Sequence, residues 1–141
     1  MGANKKKQQY LWEYRKRKRK VDRLNSQIET LRGSVAYSTT IVDGMPKGTG
    51  VKDNLPGYVT DHKELAEELR VEESIMKDAF SRITKSIEAL NCDNEKDVLN
   101  YRYIVGIEPP EIARKMDYSE NWVWKIHKKG FENIKIIKSV Q

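Results

Sequence analysis

Within "YSENWVWKIHKKGF" (residues 118–131) an asparagine, three lysines and two tryptophans recur at short intervals. These are amide donors, cations and flat rings, suited to holding a polyanion and touching base edges rather than to breaking bonds. Asn121 has the geometry to pair bidentately with adenine, Lys125 the reach for guanine, and Lys128 the charge to neutralise a phosphate. The same residues also suit an ordinary solvated helix face.

The element that carries them is expected to be a helix starting after Ser119, a favourable N-cap. At about 100° per residue, Val123, Gly130 and Ile134 fall on one side with Ile126 and His127 flanking them. That side is expected to face the preceding helices, with Gly130 permitting close approach. Asn121, Lys125, Lys128, Lys129 and Glu132 fall opposite. Tryptophans two apart cannot share a face, so Trp122 and Trp124 mark the two borders. Packing is the first expectation for Trp122, which covers the edge of the preceding helix or else touches a partner; Trp124 either packs towards Phe131 or reaches a sugar and a thymine methyl.

Two short segments come before it. "EKDVLNYRYIVG" (95–106) is one-sided and closes on glycine, a common helix stop. "EPPEIARKMD" (108–117) has prolines where a first helical turn tolerates them, then an apolar stripe of Ile112, Ala113 and Met116. Two short helices across a tight turn, the second basic and the first with a small alanine at the crossing, form the pattern of a helix-turn-helix.

The string "NYRYIVGIEPPEIARKMDYSENWVWKIHKKGFENI" (100–134) resembles sigma-70 region 4. Together with its helical first half and breaker-rich linker, the chain looks like the phage-encoded sigma-region-4-like transcriptional regulators of Gram-positive hosts, near the autolysin-regulator and late-gene activator type. The resemblance implies binding to promoter or operator duplex DNA, contact with RNA polymerase, or both. It places Glu120, Asn121, Trp124 and Lys125 where the family reads bases, with Lys128 and Lys129 next along and Ser119 at the helix start. The chain departs from the pattern at Asp117, where the turn usually has glycine, at the prolines of "EPPEIA", and at "NWVW", where polar residues usually flank the buried valine.

Further back, residues 10–35 place Tyr14, Val21, Ile28 and Val35 at one heptad position and Tyr10, Arg17, Leu24 and Leu31 at the other, which predicts a long amphipathic helix. "RKRKRK" (15–20) lies inside it. Four of the eight glycines and two of the four prolines fall in 37–58, so a linker loop is expected there. From about residue 60 the helical period returns through Leu65, Leu69, Met76, Ala79, Phe80, Ile83, Ile87 and Leu90. The expected fold is all-α: a long antiparallel helical hairpin over 1–90, coiled-coil-like, followed by a helix-turn-helix domain over 95–141. "RKRKRK" then has two uses, contact with DNA or an intramolecular match for Glu64, Glu67, Glu68, Glu72 and Glu73.

Composition agrees with an extended helical chain. Of 141 residues, 38% are apolar and 34% charged, below and above the usual globular shares. The net charge of +6 is uneven: residues 1–33 hold eleven Lys/Arg against three Asp/Glu, 61–99 six against eleven, and 119–141 five against two. Basic ends suit a polyanionic partner. The single cysteine, Cys92, allows no internal disulfide. No run of about 18 apolar residues or signal-peptide core is present. The expectation is a cytoplasmic protein of a bacterial host that does not engage membrane. His62 and His127 lie far apart without metal-site spacing, "PKGTG" lacks the frame of a phosphate cradle, and no nucleophile adjoins a base. No enzyme activity, metal or cofactor is expected. The expected partners are double-stranded DNA, RNA polymerase and a second copy in a homodimer. Two rivals remain: a polymerase- or sigma-binding protein without base readout, and a small terminase-like packaging adaptor.

Overall fold

The computed structural model describes the backbone of residues 2–43 and 49–139, and their side chains apart from residue 3 and residues 34–59. The described chain is all-α: α1 (Gly2–Asp43), α2 (Thr49–Glu88), α3 (Asp93–Leu99) continuing as π-helical backbone over Asn100–Val105, α4 (Pro109–Met116) and α5 (Glu120–Asn133). No strand occurs among the described residues. None of the described helices is long and apolar enough to cross a membrane.

Helix extends into the stretch where composition predicts a loop. It runs through Asp43 and resumes at Thr49, so residues 37–43 and 49–58 are helical; residues 44–48 lie outside the described residues. Glycine and proline cost a helix about 1 and 3 kcal/mol relative to alanine, a local penalty that two long flanking helices can carry.

The chain divides into two compact units, Lys18–Ser74 and Met1–Arg17 with Ile75–Gln141. In the first, α1 and α2 run antiparallel. Lys20 lies beside Glu72, while Leu31 shares a cleft with Asp61 and Leu65. Val21, Leu24 and Ile28 are buried, as the heptad spacing predicts. Of the "RKRKRK" block, Lys20 Nζ lies 3.0 Å from Glu72 and 3.8 Å from Glu68, and Lys18 pairs with Asp22 on its own helix. The intramolecular match is therefore present at Lys20.

The other unit does not respect the 1–90 and 95–141 division that composition suggests. Its larger core joins Tyr10 and Leu11 of α1, Ala79, Ile83, Ile87 and Leu90 of and just after α2, and Leu99, Tyr103 and Ile134. A second core packs Val98 against Ile112, Ala113, Val123 and Ile126. The reason is Leu11. It lies off the heptad seam yet is wholly buried, so the first turns of α1 are covered on two sides. Full burial of one such side chain stabilises by about 1.5–3 kcal/mol.

The π-helical segment ends at Gly106, whose backbone is left-handed (φ 87°) and whose N–H donates to Tyr101 O at 2.9 Å. A side chain there would be strained, and its Cβ would collide with the Arg15 guanidinium. The glycine stop expected after residue 105 is thus present, and the Arg15 guanidinium of α1 lies over it.

Candidate nucleic-acid interface

α4 opens with Pro109 and Pro110 in its first turn, where no helical N–H partner is lost. It closes at Asp117, left-handed at φ 60°, with the Tyr118 N–H donating to Ala113 O at 2.9 Å. This is the hydrogen-bond pattern of a helix end usually completed by glycine; Asp enters the left-handed region more readily than most side chains. Ser119 is extended and its Oγ accepts from the Trp122 N–H at 3.1 Å, capping α5 as its type predicts.

α5 is fixed along its length. Val123 and Ile126 enter the second core and Ile134, just past the helix, enters the first. Gly130 lies against Leu99 and Glu95 of α3. Glu95 is buried and accepts from Asn133 Nδ2 at 3.1 Å. At the C-terminal end, Lys7 Nζ donates to Phe131 O (3.1 Å) and Glu132 O (2.8 Å), placing a cation on carbonyls the helix leaves open.

Opposite the buried edge, Glu120, Asn121, Trp124, Lys125, Lys128 and Lys129 are all exposed on one helix. Ser119 is exposed too, but its oxygen is engaged as the cap. No protein-family model, curated protein or solved structure matches this chain. What α5 can do follows from its own groups: the amide of Asn121 for a base edge, three ammonium groups for phosphates, two indoles for apolar contact.

The tryptophans differ from expectation in one respect. Trp122 is 48% exposed and Trp124 45%, so neither seals the core. The second core is closed by Val123 and Ile126 instead, with Tyr101, Ile107, Met116 and Tyr118 packed around it. Trp122 stands with Lys125 and Lys129 along a cleft of about 470 Å³ that reaches Cys92 and Asn94. Trp124 meets the His127 ring edge-on at 5.6 Å, and His127 stacks on Phe131 at 6.1 Å.

His127 continues this aromatic line inward. Its Nε2 shares a 2.7 Å hydrogen bond with the Tyr103 hydroxyl, and Trp12 packs edge-on against Tyr103 at 4.9 Å. Burial lowers the His127 pKa below its ordinary 6.5, and the positive charge of Arg102 adds to the effect. Burial also pushes Tyr103 up to about 12, against a smaller opposing pull from Arg102, so the phenol stays protonated. Arg102 itself lies 4.9 Å from the Trp12 ring centroid and pairs with Glu108 at 3.1 Å. Lys7, Trp12, Glu95 and Arg102 escape sequence reasoning; a Lys7 contact across 124 positions leaves no periodic signal.

Among the described residues no group of three or more His, Cys, Asp or Glu side chains is placed to hold a metal ion. Cys92 is exposed.

Proposed function

We propose that this chain is a transcriptional regulator of the phage sigma-region-4-like type, binding duplex DNA with α4 and α5 as a helix-turn-helix and α5 in the major groove. The observation that carries the proposal is the division of α5 into a buried edge, Val123, Ile126 and Gly130, and an exposed face of Asn121, Trp124, Lys125, Lys128 and Lys129. A major groove admits one helix and presents base edges to its N-terminal residues. Here Glu120, Asn121 and Trp124 occupy that end, held by the Ser119 cap. Lys125 extends the contact to guanine, and Lys128 and Lys129 neutralise phosphates. Two copies on a pseudo-palindromic site supply affinity that one small unit lacks.

Binding-site selection on random duplex DNA with the intact protein tests this. The expected result is an enriched motif whose strength falls when Asn121 or Lys125 is replaced by alanine. No enrichment at moderate salt would overturn it.

A second reading is favoured by the exposure of Trp122 beside the cleft. Exposed aromatic rings are enriched at protein contacts, and RNA polymerase or a sigma factor is the partner that the sequence resemblance suggests. Binding that survives high salt and needs Trp122 but not Asn121 would support it over base readout.

A further inference from the structure

The first turns of α1 belong to the same compact unit as α5. Residues 2–17 hold six Lys/Arg and one acidic residue, Glu13, which lies 3.7 Å from Arg82. Lys5, Gln9, Trp12 and Lys16 succeed one another at steps of four, three and four along one side of the helix, around a cleft of about 550 Å³. Lys5, Gln9 and Lys16 are exposed. Trp12 is not free to stack on a base: its ring packs against Tyr103 and carries Arg102. The stripe therefore offers cations and an amide but no open π-face, which suits phosphodiester oxygens of a duplex and not unstacked bases.

Its position is fixed relative to α5. Leu11 shares a core with Leu99 and Ile134, and Lys7 holds the α5 carbonyls. From Trp12 to Trp124 there are three ring-to-ring steps, of 4.9, 5.7 and 5.6 Å, through Tyr103 and His127. A major groove is about 12 Å wide, a distance of the same order as this run of ring contacts.

We propose that the Lys5, Gln9 and Lys16 stripe of α1 grips the sugar-phosphate backbone of the duplex whose major groove receives α5. The inference rests on the proposed role of α5 and adds a second, sequence-independent contact. Lys5 and Lys16 are about 16 Å apart along the helix, and at physiological salt charges are screened over about 8 Å, so each lysine neutralises its own phosphate. Together they contribute about 1.8 to the slope of log affinity against log salt, at about 0.9 per phosphate.

The test is fluorescence anisotropy of the full chain on a labelled duplex carrying its selected motif and on a random-sequence duplex, across a fourfold salt range. The variants are Lys5→Gln with Lys16→Gln, and Lys125→Gln with Lys128→Gln, each checked for an unchanged thermal midpoint. Lys5→Gln with Lys16→Gln is expected to weaken both duplexes alike and leave the preferred motif unchanged. Over the fourfold rise in salt, wild type should lose about tenfold more affinity than this variant. Wild-type affinity and slope in that variant, with loss confined to Lys125→Gln with Lys128→Gln, would overturn the stripe and leave the role of α5 standing. Absence of duplex binding by the wild type would overturn both, and preference for single strands over duplex would overturn the stripe's ligand.

Discussion

Gly130 and Leu99 approach so closely that a Cβ on Gly130 would stand 3.1 Å from Leu99 Cδ1 and 3.3 Å from Glu95 Cβ. This contact sets how near α5 lies to α3, and hence where its outward residues stand. Alanine at 130 gains about 1 kcal/mol of helix propensity, which offsets the crowding, so Gly130→Ala is expected to be near neutral. Gly130→Val has no such room and is expected to lose about 1–3 kcal/mol. Urea denaturation of both variants checks this; a valine variant as stable as wild type would contradict the packing.

His127 gives stability a pH dependence. Its folded pKa is lowered, first by burial and then by Arg102, so below pH 6.5 the unfolded chain binds the proton more readily. The contribution is complete above the unfolded value of about 6.5 and is lost as pH falls from there through the folded value. His127→Gln should flatten this part of a thermal-midpoint profile between pH 7 and pH 5. An unchanged profile would show that acid destabilisation arises elsewhere.

Lys7 acts on α5 across 124 positions. Replacing it with methionine keeps the apolar stem but removes the cation from the helix end, which is worth about 0.3–1 kcal/mol. Hydrogen exchange at the last turn of α5 should rise in Lys7→Met while exchange in α4 stays constant; equal protection in the variant would deny the cap.

A fragment spanning 95–141 should fail to unfold cooperatively. It keeps Val98, Ile112, Ala113, Val123 and Ile126, but Leu99, Tyr103 and Ile134 lose Tyr10, Leu11, Ile83 and Ile87. Chains of this size are marginal even with an intact core. Calorimetry on the fragment decides, and a sharp transition matching that of the intact chain would refute the shared core.

The two tryptophans are similarly exposed, so alanine at either should change stability little. Their DNA affinities should part: Trp124→Ala is expected to lose about 1 kcal/mol on the selected duplex, a contact of the size made to a thymine methyl or base edge, and Trp122→Ala to bind as wild type. Equal loss in both would remove the distinction.

The helical period made much of the site legible. Val123, Gly130 and Ile134 are spaced for one side with Ile126 flanking it, and all four are buried, Ile134 just past the helix; Ser119 caps as its type predicts, and Ala79, Ile83, Ile87 and Leu90 line α2 and its end as their spacing requires. Each of these is a local signal. Leu11 and Glu95 are illegible because what buries them lies far along the chain, and the exposure of Trp122 is not legible because Val123 and Ile126 suffice to close the core beneath it. Phe80, in step with the α2 stripe, is 42% exposed and meets Tyr14 edge-on. Breaker composition misplaced the boundaries of 37–58 because it weighs residues singly, whereas a long helix averages them.

The core that joins Tyr10 and Leu11 to Ile134 has a consequence for synthesis. Tyr10 and Leu11 leave the ribosome well before Leu99, Tyr103 and Ile134, from which they are separated by some ninety to more than a hundred and twenty residues. Closing so distant a contact is slow, and until it closes those side chains are open to chaperones and to other nascent chains. The seat of α5 is thus completed only when Leu11 and Ile134, far apart along the chain, come to share one core.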